Sequence, residues 1–321
     1  MSNFTRSILI TGGTSGLGLC AAAEIAKQHP EYQVMVASRK DPDNSAAAIN
    51  KKLGQSNVQY MPLDLGHLEN VRSFVKTWGE RNFPPIAALL LNAGLQNPGS
   101  VRYTADGIES TFGVNHVGHA LLFYLLQPYL ADDARIVVVA SGTHDPAQKT
   151  GLPDAKYTSG EELAHPSDAT VNNPGRQRYA TSKLCNIMWT YALQRRLARL
   201  ANKKWTVAAF DPGLMPGTGL ARDAGVILRF VWNRVLPSLV PLLRLLASPN
   251  THLPEESGAS LAWLALDEKE RSTSGLYYEG RKPIKSSVDS YDEKNQEELW
   301  SWTVKFLAAD DKELHDFEVV A

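Results

Sequence analysis

Hydrophobic residues in the first two-thirds of the chain form short β-branched runs that alternate with longer amphipathic stretches. Short runs bounded by turn residues predict strands, and apolar positions three and four residues apart predict helices. The predicted strands are Ser7–Thr11, Gln33–Ala37, Val58–Pro62, Ala87–Asn92, Arg135–Ala140, Trp205–Phe210 and Gly275–Tyr278. The predicted helices are Gly16–Gln28, His67–Gly79, Ile108–Leu130, Arg176–Leu200, Glu255–Leu266 and Asp292–Leu307. Alternation of this kind predicts a doubly wound parallel sheet of about seven strands with helices on both faces.

One segment departs from the alternation without ending the domain. Residues 142–173 are polar and rich in Pro, Asp, Ser and Thr, which predicts a long inserted loop. Loops of that length inside a compact domain are usually functional or disordered. No Gly/Ser or Pro-rich linker divides the chain, so residues 1–321 are expected to form a single domain that closes with a helical tail near 283–321.

The stretch from residue 214 to residue 250 is apolar and dotted with arginines. We interpret it as a lid whose large apolar side chains wall a lipophilic or aromatic substrate pocket. The alternative is an interfacial helix that presses residues 226–247 onto a membrane surface, with its arginines at the headgroups. Pro237 and Pro241 interrupt any long helix there, which favours the lid and argues against a membrane span.

Composition and charge narrow the class of protein. The apolar fraction is 43% and the charged fraction 21%, as in globular proteins with a sizeable core. The net charge of −1 gives no general reason to bind nucleic acid. Cys20 and Cys185 have no metal-type spacing and indicate a reducing compartment. With no secretory leader recognised, a cytoplasmic protein is expected.

A glycine-rich turn joins the first predicted strand to the first predicted helix. It reads Thr-Gly-Gly-Thr-Ser-Gly-Leu-Gly over residues 11–18. Glycines let the backbone approach a pyrophosphate, and the N–H groups of a helix N-terminus then bind the phosphate oxygens. The strand–turn–helix context predicts a single-domain Rossmann fold that binds a dinucleotide. The cofactor-binding residues predicted in this loop are Gly12, Thr14, Ser15, Gly16, Leu17 and Gly18.

The end of the second strand indicates which dinucleotide binds. NAD-specific folds place an acidic residue there to accept from the ribose 2′-hydroxyl, whereas this chain has Ser38, Arg39 and Lys40. A guanidinium binds a 2′-phosphate that a carboxylate would repel, so NADP(H) is predicted. The alternative is that these are ordinary surface cations. Further cofactor contacts are predicted on the adenine side and at a close-approach turn, from Asp64, Leu65, Asn92, Ala93 and Gly94.

Tyr179 and Lys183 lie four positions apart near the start of a predicted helix, so both side chains can face one cleft. Free tyrosine and lysine have pKa values of about 10 and 10.4. A nearby ammonium is expected to lower the tyrosine pKa and bring it into range for proton transfer. Such pairs also occur on many solvated helices. Here Ser141 follows a strand, at the edge where sheets of this kind bind ligands.

In this ordered set the sequence resembles the short-chain dehydrogenase/reductase superfamily over about Ser7 to Tyr278. The likeness is carried by Thr11–Gly18, Asp64, Asn92–Gly94, Asn115, Ser141, Tyr179, Lys183, Pro212, Gly213 and Thr218. It implies that Tyr179 is the general acid/base and that Lys183 binds the nicotinamide ribose. It also implies that Ser141 holds the substrate carbonyl and that Asn115 positions a water in a proton relay. Pro212, Gly213 and Thr218 would contact the nicotinamide end of the cofactor.

A narrower likeness, to the branch of light-dependent protochlorophyllide reductases and retinol dehydrogenases, is carried by Asn115–His119, Tyr179–Asn186 and Tyr277–Trp302. The pigment-reducing photoenzymes have a cysteine directly after Pro-Gly, whereas this chain has Leu214. That departure favours carbonyl reduction over light-driven pigment reduction. Related enzymes often pair through the helices that bear the Asn and the Tyr, so a homodimer is one open alternative.

Three histidines are candidate site residues. His116 and His119 lie three apart on a helix without a third ligand, so they are interpreted as structural and no metal is predicted. His144 and Leu214 are candidate substrate contacts, and the alternative for His144 is a solvated loop position. No G-x-S-x-G elbow surrounds Ser141, which argues against a hydrolase nucleophile.

The sequence thus predicts an NADP(H)-dependent oxidoreductase that transfers a hydride between NADPH and a carbonyl, or an activated C=C, of a bulky lipophilic or aromatic small molecule. The first alternative is a pigment-type double-bond reductase. The second is a non-catalytic NADP-binding regulator that reuses the fold.

Overall fold

A computed structural model describes residues 4–218, 230–246 and 248–320 of the chain. Its strands are β1 (Arg6–Thr11), β2 (Tyr32–Ser38), β3 (Val58–Pro62), β4 (Ile86–Leu91), β5 (Leu130–Val139), β6 (Thr206–Asp211), β7 (Leu276–Glu279) and β8 (Lys282–Ile284). Its α-helices are α1 (Gly16–Gln28), α2 (Ser45–Leu53), α3 (Leu68–Glu80), α4 (Ser110–Phe112), α5 (Gly118–Leu126), α6 (Gly160–Ala164), α7 (Gly175–Leu197), α8 (Val240–Leu246), α9 (Pro254–Leu266), α10 (Glu268–Arg271), α11 (Glu293–Leu307) and α12 (Asp311–Val319).

All eight strands form one sheet in the order β3-β2-β1-β4-β5-β6-β7-β8. The pairs from β3 to β7 are parallel, and β8 pairs antiparallel with β7. The strand order reverses between β1 and β4, the place where open α/β sheets bind ligands. The predicted doubly wound α/β fold is confirmed. The expectation of about seven strands missed β8, a short edge strand whose Pro283 suits an edge position.

Helices cover both faces of the sheet, and its strands are therefore buried on both sides. On one face α1 and α9 pack together over apolar residues of β1, β2 and β6. On the other face α3, α5, α7 and α11 bury a larger cluster, in which Trp189 stacks on Trp300. Helices on both faces of a parallel sheet leave its carboxyl edge open, and the candidate site lies at that edge.

Several element boundaries differ from the predictions. The predicted helix Ile108–Leu130 is three segments: α4, a π-helical turn over Gly113–Val117, and α5, followed by a 3-10 turn over Gln127–Tyr129. The strand predicted from Arg135 begins at Leu130. The helices α2, α6, α8, α10 and α12 were not predicted as separate elements.

The inserted segment 142–173 is largely irregular and contains two 3-10 turns and the short helix α6. Of the predicted lid, residues 219–229 and 247, including Arg229, lie outside the described residues. Its described part holds a π-helical turn over Val231–Val235, a 3-10 turn over Leu236–Leu239, and α8. Among the helices that the structure describes, none has both the length and the apolar character needed to cross a membrane.

Candidate functional site

The glycine-rich turn is shaped as dinucleotide binding requires. Gly12 and Gly16 adopt positive φ angles of 66° and 52°, which favour glycine. A Cβ added to Gly18 would lie 2.5 Å from the Gly12 carbonyl oxygen, so α1 packs directly on the turn. The side chain of Ser15, the N-cap of α1, makes no capping hydrogen bond. The first N–H groups of the helix therefore need another partner, such as a phosphate.

The end of β2 lies beside this turn. The hydroxyls of Thr14 and Ser38 are 2.9 Å apart, and the Ser38 hydroxyl donates to the Lys40 carbonyl at 2.8 Å. These bonds hold the segment after β2 against the phosphate turn. Arg39 and Lys40 are exposed, and neither forms an ion pair with a residue that the structure describes. Both cations are therefore accessible at the place where a ribose 2′-substituent would lie.

The predicted adenine side follows β3. Asp64 is half-buried, and its Oδ1 accepts from the Gly66 N–H at 3.0 Å. The side chain of Leu65 is buried in the core under α5. Asp64 thus keeps part of its carboxylate available, whereas Leu65 can meet a ligand only through its backbone.

A buried hub that sequence reasoning missed joins β1, the turn after β4 and α5. The Thr11 hydroxyl accepts from the N–H groups of Asn92 and Ala93, at 2.8 and 2.9 Å. It lies 2.8 Å from Nε2 of His119, whose Nδ1 lies 3.1 Å from the Asn115 carbonyl. Since a carbonyl only accepts, His119 carries its proton on Nδ1 and Thr11 donates to Nε2. Burial lowers the pKa of His119 to about 4, which keeps the ring neutral.

Asn115 lies in the π-helical turn, and its side chain is fully engaged. Its Oδ1 accepts from the Leu95 N–H at 2.8 Å, while Nδ2 donates to the Leu95 carbonyl and to the Ser182 hydroxyl at 3.0 and 2.9 Å. The side chain therefore fixes the backbone after β4. The part of Asn115 in a proton relay stays a prediction.

Tyr179 and Lys183 share one side of α7, with the Lys183 Nζ 5.6 Å from the centre of the phenol ring. Lys183 is buried and donates to the Val139 carbonyl at 2.9 Å, at the end of β5. A Cβ added to Gly94 would lie 3.6 Å from Lys183 Nζ and 3.5 Å from Asn115 Oδ1. The fold therefore brings together the turn after β4, the π-helical turn and the Tyr–Lys pair.

The protonation of this pair differs from the expectation. Burial raises the pKa of Tyr179, and the carboxylate of Asp211 raises it further, while a polar contact with Ser141 acts in the opposite direction. Burial lowers the pKa of Lys183 to about 8, and Asp211 opposes that change. The expectation that the tyrosine pKa is lowered is therefore wrong, because burial raises it. At pH 7 the phenol is protonated and suited to donate a proton.

Ser141 follows β5 with an extended backbone and is half-buried. Its hydroxyl accepts from the Thr143 N–H at 3.3 Å, and its side chain lowers the pKa of the Tyr179 phenol. A substrate oxygen at this point could receive hydrogen bonds from both, as the resemblance implies for a carbonyl.

The loop after β6 carries the predicted nicotinamide contacts. Gly213 has a φ of +77°, and an added Cβ would lie 2.4 Å from Oδ1 of Asn250. The Pro212 carbonyl accepts from the Ser257 hydroxyl at 2.7 Å, and the Thr218 hydroxyl donates to the Met215 carbonyl at 2.8 Å. Leu214 is 39% exposed, so its side chain is free to contact a ligand.

The side chains of the remaining candidate residues are buried and contact other groups of the protein. His144 is 1% exposed; its Nδ1 bonds to the Ser141 carbonyl at 2.7 Å and its Nε2 accepts from the Ser287 N–H at 3.0 Å. With both nitrogens engaged, His144 is neither a free substrate contact nor a solvated loop residue. His116 is buried and bonds to the Thr303 hydroxyl at 2.9 Å. Burial raises the pKa of the Cys185 thiol, so this residue is a poor replacement for the cysteine that the photoenzymes carry after Pro-Gly.

Comparison with known proteins agrees with the fold. Residues 6–152 match the family described as short chain dehydrogenase. The chain is 31% identical over 304 residues to the polyprenol dehydrogenase of Danio rerio, covering 91% of this chain and 83% of the relative. It is 29% identical over 329 residues to the protochlorophyllide reductase A, chloroplastic, of Oryza sativa subsp. japonica, covering 94% and 80%. A solved structure from Mycobacterium Paratuberculosis, of an uncharacterized protein, superposes with a TM-score of 0.66 at 25% identity, covering 95% and 94%.

Fold and site together define an oxidoreductase of the type that uses a nicotinamide cofactor. The chain belongs to the short-chain dehydrogenase/reductase family. The predicted superfamily is therefore confirmed. The similarity of this chain to protochlorophyllide reductases extends over nearly its whole length.

Proposed function

We propose that this protein is an NADP(H)-dependent reductase that acts on a carbonyl of a bulky lipophilic or aromatic small molecule. The observation that carries the proposal is the convergence of Tyr179, Lys183 and Ser141 at the carboxyl edge of the sheet, beside a glycine turn with free helix N–H groups. Each of these groups has a part that the reaction needs, and each lies where the fold places ligands.

The cofactor choice rests on the end of β2. Arg39 and Lys40 are exposed beside the phosphate turn, and no carboxylate stands at Ser38 to accept from a ribose hydroxyl. A guanidinium can bind a 2′-phosphate through two parallel hydrogen bonds, which favours NADP(H) over NAD(H).

A bound NADPH would supply the hydride. The part of this chain is to hold the substrate oxygen and to deliver a proton to it. Tyr179, protonated because burial raises its pKa, donates that proton as negative charge develops on the oxygen. Ser141 donates a hydrogen bond to the same oxygen. Lys183, fixed on the Val139 carbonyl, provides positive charge next to the phenolate that remains.

The lipophilic substrate is inferred from the described part of the lid. Leu239, Leu242, Leu245 and Leu246 are all exposed there, as is Leu214 at its start. The similarity to a polyprenol dehydrogenase accords with an apolar substrate. The alternative of membrane docking through residues 226–247 receives less support, because Arg244 bonds to Glu256 at 2.5 Å and to the Thr251 carbonyl at 2.7 Å.

Reduction of a pigment double bond is the second candidate, favoured by the similarity to protochlorophyllide reductases. Leu214 after Pro-Gly and the burial of Cys185 speak against it. Light-dependent turnover of a bound tetrapyrrole would establish this candidate over carbonyl reduction.

The test is a Tyr179→Phe variant assayed for NADPH oxidation over ketones, quinones, retinoids and steroids, with NADH in parallel. Removal of a general acid typically costs 10²–10⁴-fold in turnover. We expect that loss with unchanged NADPH affinity. Tyr191→Phe is the matched control, since Tyr191 lies further along α7 and bonds to Ser286. Turnover by Tyr179→Phe at the wild-type rate would remove the assignment, and a preference for NADH would remove the choice of cofactor.

A further inference from the structure

Asp211 is a buried carboxyl that the sequence analysis did not single out. It ends β6, directly before Pro212 and Gly213, and is 2% exposed. Its Oδ1 accepts from the Gly213 N–H at 3.0 Å. Its Oδ2 accepts from Asn250 Nδ2 at 2.9 Å and from the Tyr277 hydroxyl at 3.3 Å.

These donors come from separate segments that meet at the site. Gly213 belongs to the predicted nicotinamide loop, Asn250 to the chain returning from the lid, and Tyr277 to β7. A fourth segment follows Ser141: a Cβ added to Gly142 would lie 3.0 Å from Asp211 Oδ2, and the Gly142 backbone also favours the ionised carboxyl. One side chain thus links the loops after β5 and β6 to the neighbouring strand and to the end of the lid.

The charge of Asp211 also affects the pKa values of the Tyr–Lys pair. Its carboxylate raises the pKa of both Tyr179 and Lys183, in each case as the next influence after burial. From β7 it is faced by Tyr277 and by Glu279, its register partner.

Two histidines lie beyond the hydrogen-bond donors of Asp211, and each contacts one of those donors. His144 packs edge-on against Tyr277, and His252 lies 3.0 Å from Oδ1 of Asn250. Burial lowers the pKa of both rings, so both are neutral at pH 7 and neither adds a positive charge near the carboxyl.

We propose that Asp211 is a positioning residue for the reaction: its buried carboxylate holds together the loops that carry Ser141 and Gly213. This inference rests on the proposed function. The carboxyl reaches the reacting atoms only through its neighbours, so its effect is on their placement.

The protonation of Asp211 agrees with that role. Burial raises the pKa of Asp211 to about 6, and Glu279 raises it while the backbone of Gly213 opposes the change. The carboxylate is therefore present above pH 6 and is lost as the pH falls through that value. A buried carboxyl held against such a penalty is more typical of functional sites than of structural ones.

The test uses the full chain with tyrosines labelled with ¹³C at the ring carbon that bears the hydroxyl, and follows their chemical shifts by NMR at pH 7. The Tyr179 signal is identified by its loss in Tyr179→Phe. In Asp211→Asn the Tyr179 signal should shift, because the loop that carries Ser141 loses the carboxylate that holds it. Tyr277→Phe is the control, because it removes one hydrogen bond to Asp211 and keeps the carboxylate; its Tyr179 signal should move much less. An unmoved Tyr179 signal in Asp211→Asn overturns the proposal.

A second variant decides the matter if Asp211→Asn does not fold. Glu279→Gln removes a charge that raises the pKa of Asp211, so the acid limb of NADPH-dependent reduction of 9,10-phenanthrenequinone should move to lower pH. An unmoved acid limb contradicts the proposal. The NMR measurement needs no turnover: an inactive Tyr179→Phe with an unshifted Asp211→Asn signal removes only this inference, whereas an active Tyr179→Phe removes the proposed function.

Discussion

The contact between Gly18 and the turn that precedes it gives the sharpest test of the cofactor loop. Gly18 lies in the first turn of α1, where alanine would ordinarily stabilise a helix by about 1 kcal/mol relative to glycine. Here an added Cβ would lie 2.5 Å from the Gly12 carbonyl oxygen and 2.6 Å from Asn92 Nδ2. Gly18→Ala therefore sets a local gain in helix propensity against an overlap with two groups that shape the site.

The overlap is the larger effect. Restoring ordinary contact requires a shift of about 1 Å, because non-bonded heavy atoms pack best near 3.5–4.0 Å. Overpacking of this kind costs about 1–3 kcal/mol, so the net loss in the free energy of unfolding is about 0–2 kcal/mol. Displacement of the turn by about 1 Å should weaken binding more. We expect the Kd for NADPH to rise by roughly 10–100-fold, or about 1.4–2.7 kcal/mol.

The assay is NADPH titration by calorimetry, with urea unfolding measured on the same samples. Gly99→Ala is the control, since an added Cβ there meets nothing within 4 Å and its φ is not positive. We expect the control to match the wild type in both measurements. Wild-type affinity and stability in Gly18→Ala would refute the interpretation of this turn as a close-packed dinucleotide cradle.

Three further predictions test other parts of the molecule. Arg39→Ala should raise the KM for NADPH by at least tenfold and leave that for NADH unchanged, since hydrogen bonds to charged groups contribute about 1.5–3 kcal/mol; equal changes for both cofactors would refute the assignment. Thr11→Val leaves two N–H groups and the His119 ring without partners, so urea unfolding should show a loss of about 1–3 kcal/mol. Thr77→Val, which loses only an exposed bond within α3, should cost much less. Burial lowers the pKa of His116 to about 3 and that of His119 to about 4. Their stabilising effect is complete above pH 6.5 and falls with pH, by about 1.4 kcal/mol per unit for each ring, so His116→Gln should show a shallower loss of stability between pH 6.5 and 4.5 than the wild type.

The phosphate turn and the Tyr–Lys pair were predictable because local rules determine both. Helix α1 was predicted at its observed bounds, since the glycines before it and the apolar periodicity within it lie in one short stretch. The i, i+4 spacing of Tyr179 and Lys183 likewise determines that the two share a helix side. Helix α2 obeys local rules as well: Asn44 and Gly54, both in the left-handed conformation, flank an alanine-rich helical run, so this helix was predictable from the sequence.

Burial was the harder quantity to predict. The Tyr–Lys spacing indicates proximity, from which a lowered tyrosine pKa follows in water. In the folded protein burial has the larger effect and raises that pKa. Similarly, His144 follows Ser141 by three residues and was a natural candidate for the substrate cleft. Its burial depends on Tyr277 and on the backbone of Ser287, which lie more than a hundred positions away.

Asp211 shows why such contacts matter for function. No local pattern distinguishes an aspartate at a strand end from a solvated one, because its partners Gly142, Asn250 and Tyr277 lie on segments far apart in the sequence. The parallel sheet brings their ends to one edge, and there a single carboxyl meets several donors at once. Since the carboxyl edge is also where the fold binds ligands, we infer that a buried acid at this point helps to position the residues there. The Tyr–Lys pair can therefore be predicted from the sequence, while the contacts of Asp211 depend on how the sheet assembles.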